Sequence, residues 1–265
     1  MRYDHWMSDA SAPAPLLAER VRAGERLLGL IVKLPAPAVV EIAGHSGFDL
    51  VAIDTEHGLA DGVALHHHLR SAAAAGLGAL VRVGGPETPE ILRALDAGAD
   101  GVIVPHVTTG AQAQAVVSAA RYPPEGRRGF ALSTPAAGYG SRTVAEHFAD
   151  ARRRTLVAVQ LEDAEAVPNA AGILATPGVD VAFVGTADLA ASLGHPGEVD
   201  HPDVQAAIDA FVTAAREQGT PLCGVAADEA GAAAWFAAGG QITLFEASLV
   251  LAARLRGLAA GARSR

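Results

Sequence analysis

The sequence predicts an α/β protein, a (β/α)8 TIM barrel, on three observations. Eight short runs rich in leucine and β-branched residues recur along the chain, each bounded by glycine, proline or a charged residue. They are continuously apolar, as parallel strands covered by helices are, and do not alternate. Helical patterns separate them, and a chain of 265 residues suits one such barrel.

The first strand is expected at 27–34, LLGLIVKL, closed by Pro35. The second, 49–54, is DLVAID, entered from Gly47. ALVRV at 79–83 stops at Gly84, and GVIV at 101–104 stops at Pro105. LVAVQL at 156–161 is the fifth, and the apolar run 179–184 before Gly185 is the sixth. LCGVA at 222–226 and QITLFE at 241–246 complete the set. Helical composition or spacing fills 36–46, 61–75, 89–97, 112–120, 164–175, 202–218 and 229–238, with 249–263 as the eighth helix. Gly47-Phe-Asp49, Gly98-Ala-Asp100 and Gly178-Val-Asp180 repeat one event, in which a helix ends at glycine and an aspartate leads into a strand.

Residues 1–15 carry charges and prolines with no cationic start and apolar stretch, so a flexible leader is expected there and one barrel domain over 16–265. The segment 107–155 exceeds one crossover and holds Pro123-Pro124 and several glycines. It is expected to form a lid or subunit-contact loop above the fourth strand. Twenty Lys and Arg against 29 Asp and Glu leave a net charge of -9, which offers no basic field to nucleic acid or an anionic membrane. No stretch reaches the roughly 20 apolar residues of a membrane span. The only cysteine, Cys223, lies in an apolar run and reads as a buried thiol in a reducing, cytoplasmic setting.

Polar residues cluster where the apolar runs end: Asp54, Glu56 and His57 after the second, Arg82 in the third, Gln160 and Glu162 at the fifth, and Asp188 after the sixth. A barrel brings all these ends to one face. Glu162 and Asp188 read either as an acid/base pair or as hard oxygen ligands for a divalent cation; each alone also suits a helix cap. Asp188 follows Gly185-Thr-Ala187, a turn whose backbone N–H groups suit a substrate carboxylate. His57, three residues after Asp54, is a candidate base whose tautomer that carboxylate would fix. Arg82, in an apolar run, pairs either with a structural carboxylate or with an oxyanion on a substrate. His66, His67 and His68 lie on one helix and are expected mainly on its solvent side. Lys33, the only lysine, leaves a Schiff-base mechanism as an alternative.

The stretch Gly47 to Gly58 (GFDLVAIDTEHG), Val81-Arg-Val83, 121–129 (RYPPEGRRG), Val159-Gln-Leu-Glu162 and Phe183 to Gly194 (FVGTADLAASLG) resemble the 4-hydroxy-2-oxoheptanedioate aldolase family. The resemblance runs from about Leu28 to Arg254 and extends to 2-keto-3-deoxy-sugar-acid aldolases and, remotely, to the citrate lyase β subunit and malyl-CoA lyase. It implies a barrel of the phosphoenolpyruvate/pyruvate type and a class II aldolase that releases pyruvate and an aldehyde from 4-hydroxy-2-oxo acids. It further implies His57 as acid/base group supported by Asp54, Arg82 beside the enolate oxygen, and Glu162 and Asp188 as ligands of Mg2+, Mn2+ or Co2+. Gln160 would line the pyruvate pocket, with the carboxylate at Ala187 and Asp188. A homo-trimer or homo-hexamer is implied too, with 249–258 exchanged between neighbours. Thr186 stands where proline is common, Ser248 where aspartate is, and the block after His57 differs from forms that bind long dicarboxylates. A related acyl-CoA or 2-oxo-acid lyase, and a catalytically silent barrel subunit, are the alternatives.

Overall fold

A computed structural model describes residues 15–263. Apart from Pro15, the expected leader lies outside the described residues. After a short helix, α1 (Leu17–Arg22), eight parallel strands close in sequence order: β1 (Leu27–Val32), β2 (Leu50–Asp54), β3 (Gly78–Arg82), β4 (Gly101–Val104), β5 (Leu156–Leu161), β6 (Val181–Val184), β7 (Leu222–Val225) and β8 (Ile242–Glu246). Around them run α2 (Pro37–His45), α3 (Gly62–Ala74), α4 (Thr88–Asp96), α5 (Gly110–Ala120), α6 (Val144–Arg154), α7 (Ala170–Leu174), α8 (Thr186–Ser192), α9 (Pro202–Gln218), α10 (Glu229–Ala237) and α11 (Ala247–Arg263). This is the expected (β/α)8 TIM barrel.

Period-two alternation divides the strands between two cores. Leu27, Ile31, Leu50, Ala52, Leu80, Ile103, Leu156, Ala158, Val181, Phe183, Ile242 and Leu244 fill the interior, with Cys223 among them. Burial pushes the Cys223 thiol up, so it stays protonated. Leu30, Val32, Val51, Ile53, Val81, Val102, Val157 and Val159 face the helices instead. Leu17, Ala18 and Val21 of α1 join the inner group and plug the N-terminal end.

The repeated Gly-x-Asp pattern ties that end together. Gly47, Gly98 and Gly178 adopt φ of 87°, 104° and 95°, the left-handed values that glycine tolerates at a helix end. The following aspartates then accept an N–H from the preceding strand: Asp49 from Leu28 at 2.8 Å, Asp100 from Ala79 at 2.9 Å and Asp180 from Val157 at 2.9 Å. Each also holds an arginine, Arg20, Arg154 and Arg121 respectively, at 2.6–2.9 Å.

The 107–155 segment departs from expectation. Capped by a Thr109–Gln112 box, α5 runs back to the N-terminal end before the irregular part begins. Arg121, Arg128 and Arg154 then anchor the remainder to Asp180, Asp96 and Asp100 at the barrel's closed end. Tyr122 stacks on Phe148 at 4.2 Å, with Phe130 edge-on to both. Residues 121–155 are therefore a packed cap remote from the C-terminal mouth, and the expected lid is not formed. The expected helix 164–175 is split into a 3-10 turn, Ala164–Asn169, and α7, because Pro168 interrupts the hydrogen-bond ladder. His68 also departs from its expected solvent side: it is fully buried, with its ring nitrogens 2.6 and 3.0 Å from the Ala64 and Leu34 carbonyl oxygens.

Candidate active site

The inward phase of each strand places its last polar residue at the C-terminal mouth. Leu50 and Ala52 bring Asp54 inward, Leu80 brings Arg82, and Leu156 and Ala158 bring Gln160, with Glu162 two residues further on. Register sets Asp54 beside Arg82 and Leu161 beside Val184, so Glu162 comes opposite Gly185. A Cβ on Gly185 would lie 2.6 Å from Glu162 Oε2, so glycine there preserves the space the carboxylate occupies. Ala187 and Asp188 follow in the first turn of α8, both exposed at the mouth. Gly185 offers no side-chain cap, leaving the first-turn amides without an intrahelical acceptor.

Arg82 is 7% exposed and forks onto Asp54, with Nε 3.2 Å from Oδ1 and Nη2 2.5 Å from Oδ2. Its Nε also lies 3.3 Å from Glu56 Oε2. Burial alone would raise the Asp54 carboxyl, but the guanidinium and the His57 and Glu56 amides hold it below the usual range. Those amides both reach Asp54 Oδ1 at 3.1 Å. The expected pairing of Asp54 with the His57 ring is therefore replaced by a backbone contact. Both Asp54 oxygens are engaged by Arg82 and the tight turn, and the ring, half exposed, instead lies 3.7 Å from Glu56 Oε2.

Glu162 is 1% exposed, and its carboxyl is pushed up to about 7, first by burial and further by the negative charge of Asp188. Hydrogen bonds from the Gln160 side-chain amide and the His106 N–H oppose that rise only in part. Gln160 Oε1 is buried without a hydrogen-bond partner. The result is a cluster of oxygen donors whose ionisation burial disfavours and a hard divalent cation would favour. Sequence reasoning missed His106, whose ring lies 3.1 Å from Asp163 Oδ2, 3.5 Å from Glu162 Oε1 and 3.7 Å from Glu56 Oε1. Its signal was its place, directly after the Pro105 that ends the fourth apolar run. Its φ of 57° is a strained value for a non-glycine residue, at a cost of about 1–3 kcal/mol.

Among the described residues, three ligand atoms converge within 4.8 Å of one another at one group, His195, His201 and Asp203, away from Glu162 and close to the start of α9. Their rings stack at 3.4 Å, and His201 Nδ1 already accepts the Asp203 N–H as the cap of α9. Stacked imidazoles aim their in-plane lone pairs side by side, so this group would need to rotate to hold one ion. Lys33 Nζ is engaged by Glu246 in an ion pair at 2.7 Å.

A closed parallel barrel with carboxylates, an arginine and histidines gathered at its C-terminal mouth has the architecture of a barrel enzyme. The chain belongs to the HpcH/HpaI aldolase/citrate lyase family, whose profile it matches over residues 27–250. It is 35% identical over 242 residues to a pyruvate aldolase of Rhizobium etli, covering 91% of this chain and 94% of the relative. It is 38% identical over 214 residues to a 5-keto-4-deoxy-D-glucarate aldolase of Salmonella newport, covering 81% and 80%. Among solved structures, an HpcH/HpaI aldolase/citrate lyase family protein of Burkholderia cenocepacia superposes with a TM-score of 0.89 at 37% identity, over 93% of this chain and 98% of the other. The chain is thus an enzyme of the aldolase/lyase type.

Proposed function

We propose that the enzyme is a metal-dependent aldolase that cleaves short 4-hydroxy-2-oxo acids to pyruvate and an aldehyde. The observation that carries this reading is the buried Glu162 carboxylate, whose ionisation burial and the Asp188 charge both oppose, on the same side of the mouth as the Arg82 guanidinium that feels its charge. Glu162 and Asp188 would hold Mg2+, Mn2+ or Co2+. Bound there, the cation supplies Lewis-acid polarisation of the 2-oxo acid.

Arg82, held in one orientation by Asp54, puts a fixed positive charge beside the 2-oxo oxygen as negative charge develops on it. Gln160 lines the pyruvate pocket, and the amides of Ala187 and Asp188 meet the substrate carboxylate. His57 accepts the 4-hydroxyl proton as the C3–C4 bond breaks, releasing the aldehyde. The electron pair left on C3 is delocalised onto the 2-oxo oxygen, and protonation at C3 completes pyruvate. The two named relatives, both aldolases, support this reading.

The departures around His57 and Ser248 support a broad acceptor range, as does the lack of an arginine-rich motif that the sequence places on the distal side of the site, where a second carboxylate would sit. Pyruvate condensed with glyoxylate, glycolaldehyde, lactaldehyde, glyceraldehyde and succinic semialdehyde, with and without Mn2+, tests this. Several short aldehydes should react, all requiring metal. Turnover of succinic semialdehyde alone would remove the broad-acceptor reading, and metal-independent turnover throughout would remove the mechanism.

We further propose a homo-trimer or homo-hexamer built through α11. Only Ala247 of this helix is buried, while Leu249, Val250, Leu251, Leu255 and Leu258 are 48–65% exposed. No described helix is long and apolar enough to cross a membrane. A cytoplasmic location suits a chain whose single cysteine is buried.

A further inference from the structure

Two polar residues complete the inward ring at the barrel mouth and take no part in the chemistry above. Lys33 directly follows β1, in which Leu27 and Ile31 already face the interior, so the alternation carries Lys33 to the same side. Glu246 ends β8 in phase with inward Ile242 and Leu244. Lys33 Nζ lies 2.7 Å from Glu246 Oε2, and Glu246 Oε1 accepts the Ser248 N–H at 3.1 Å.

Their position ties them to the reacting groups. Val32 pairs with Ile53 and Asp54 with Arg82, so Lys33 is one strand from Asp54 and two from Arg82. Leu59, just beyond His57, donates its N–H to the Lys33 carbonyl at 3.3 Å. In the closed ring β1 stands opposite β5, so the pair walls the mouth across from Glu162. Val225, at the end of β7 and 45% exposed, adds an apolar surface beside it.

We propose that Lys33 and Glu246 determine specificity on the aldehyde side and select a short, uncharged hydroxyaldehyde over a carboxylate-bearing one; this rests on the aldolase reading above. Lys33 is the only lysine, and Glu246 cancels its charge, so this wall offers no net attraction for an anion. An ammonium has three donors and spends one on Glu246, while the carboxylate keeps free lone pairs. A substrate hydroxyl can accept from Lys33 and donate to Glu246 at once. A carboxylate has no proton to donate and meets the Glu246 charge, whereas a plain alkyl aldehyde leaves both groups without a substrate partner.

The test compares kcat/KM for condensation of pyruvate with glyceraldehyde, propionaldehyde and succinic semialdehyde, using the full chain with Mn2+. Wild type should prefer glyceraldehyde. In Glu246→Gln the unmasked ammonium should shift the glyceraldehyde-to-semialdehyde ratio toward the semialdehyde by about tenfold or more. Lys33→Gln should lower the glyceraldehyde-to-propionaldehyde ratio by a similar factor, and it carries the test if Glu246→Gln does not fold. Unchanged ratios in the folded variants, even with a lower Tm, would assign the pair to barrel closure and overturn the inference alone. A wild type inert with every aldehyde, and unable to exchange pyruvate C3 protons, would overturn the aldolase reading and this inference with it.

Discussion

Glu162 is costly to the fold unless a cation joins it. Its carboxyl titrates at about 7 in the folded chain against an ordinary value of 4.5. Between those values the folded form keeps a proton that the unfolded form has lost, so its contribution to stability falls as pH rises through the window. Metal binding needs the proton gone and therefore strengthens over the same range. Mn2+ titrations of wild type should show affinity rising with pH through about 7, while Glu162→Gln should lose most of the affinity and that pH dependence. Equal Mn2+ affinity in the two proteins would take Glu162 out of the ligand set. The residue types at this site were legible because strand ends were, but partner choice was not. Asp54 and His57 are three apart in sequence, and nothing in that spacing reveals that Arg82 claims the Asp54 carboxylate.

At the scale of elements, all eight strands lie where apolar runs and their terminators put them, with ends within two residues. The 107–155 segment was harder, because its proline-rich sequence marks an irregular path without saying at which barrel end it lies. Direction decides that: α5 has already carried the chain to the closed end. There Tyr122 Oη and His147 Nε2 lie 2.8 Å apart, inside the aromatic cluster. Burial, with the charges of Arg128 and Arg142, lowers the His147 pKa below its ordinary 6.5. The neutral ring's contribution is thus complete above that value and is lost as pH falls toward the lower folded-state value. His147→Phe should cost about 1 kcal/mol at pH 7 and flatten the loss of Tm on acidification relative to wild type. Parallel Tm-versus-pH curves would contradict this account of the cap. For α11, Leu255→Asp should yield a smaller species by light scattering, whereas a monomeric wild type would end the proposed interface.

Across the whole molecule, structure and chemistry occupy opposite barrel ends. The closed end carries α1, the Asp–Arg clamps and the aromatic cap, and the open end carries the buried carboxylates and the strained His106. The Gly-x-Asp repeat was visible in sequence as architecture, but its function of tying neighbouring strands emerged only with the hydrogen bonds. His106 offered only its place at a strand end, after Pro105, with no partner at a telling spacing; the fold sets it among Glu56, Glu162 and Asp163. In the proposed chemistry the open end generates the enolate of pyruvate with a metal and Arg82. The most direct test of that chemistry is exchange of pyruvate C3 protons in D2O, followed by NMR for wild type and Arg82→Lys, with Mn2+ and after chelation. Wild type should exchange only with metal, and the lysine variant, which keeps the charge but loses the guanidinium fork, should be slower by about 100-fold. Exchange that survives chelation, or equal rates in the two proteins, would contradict it.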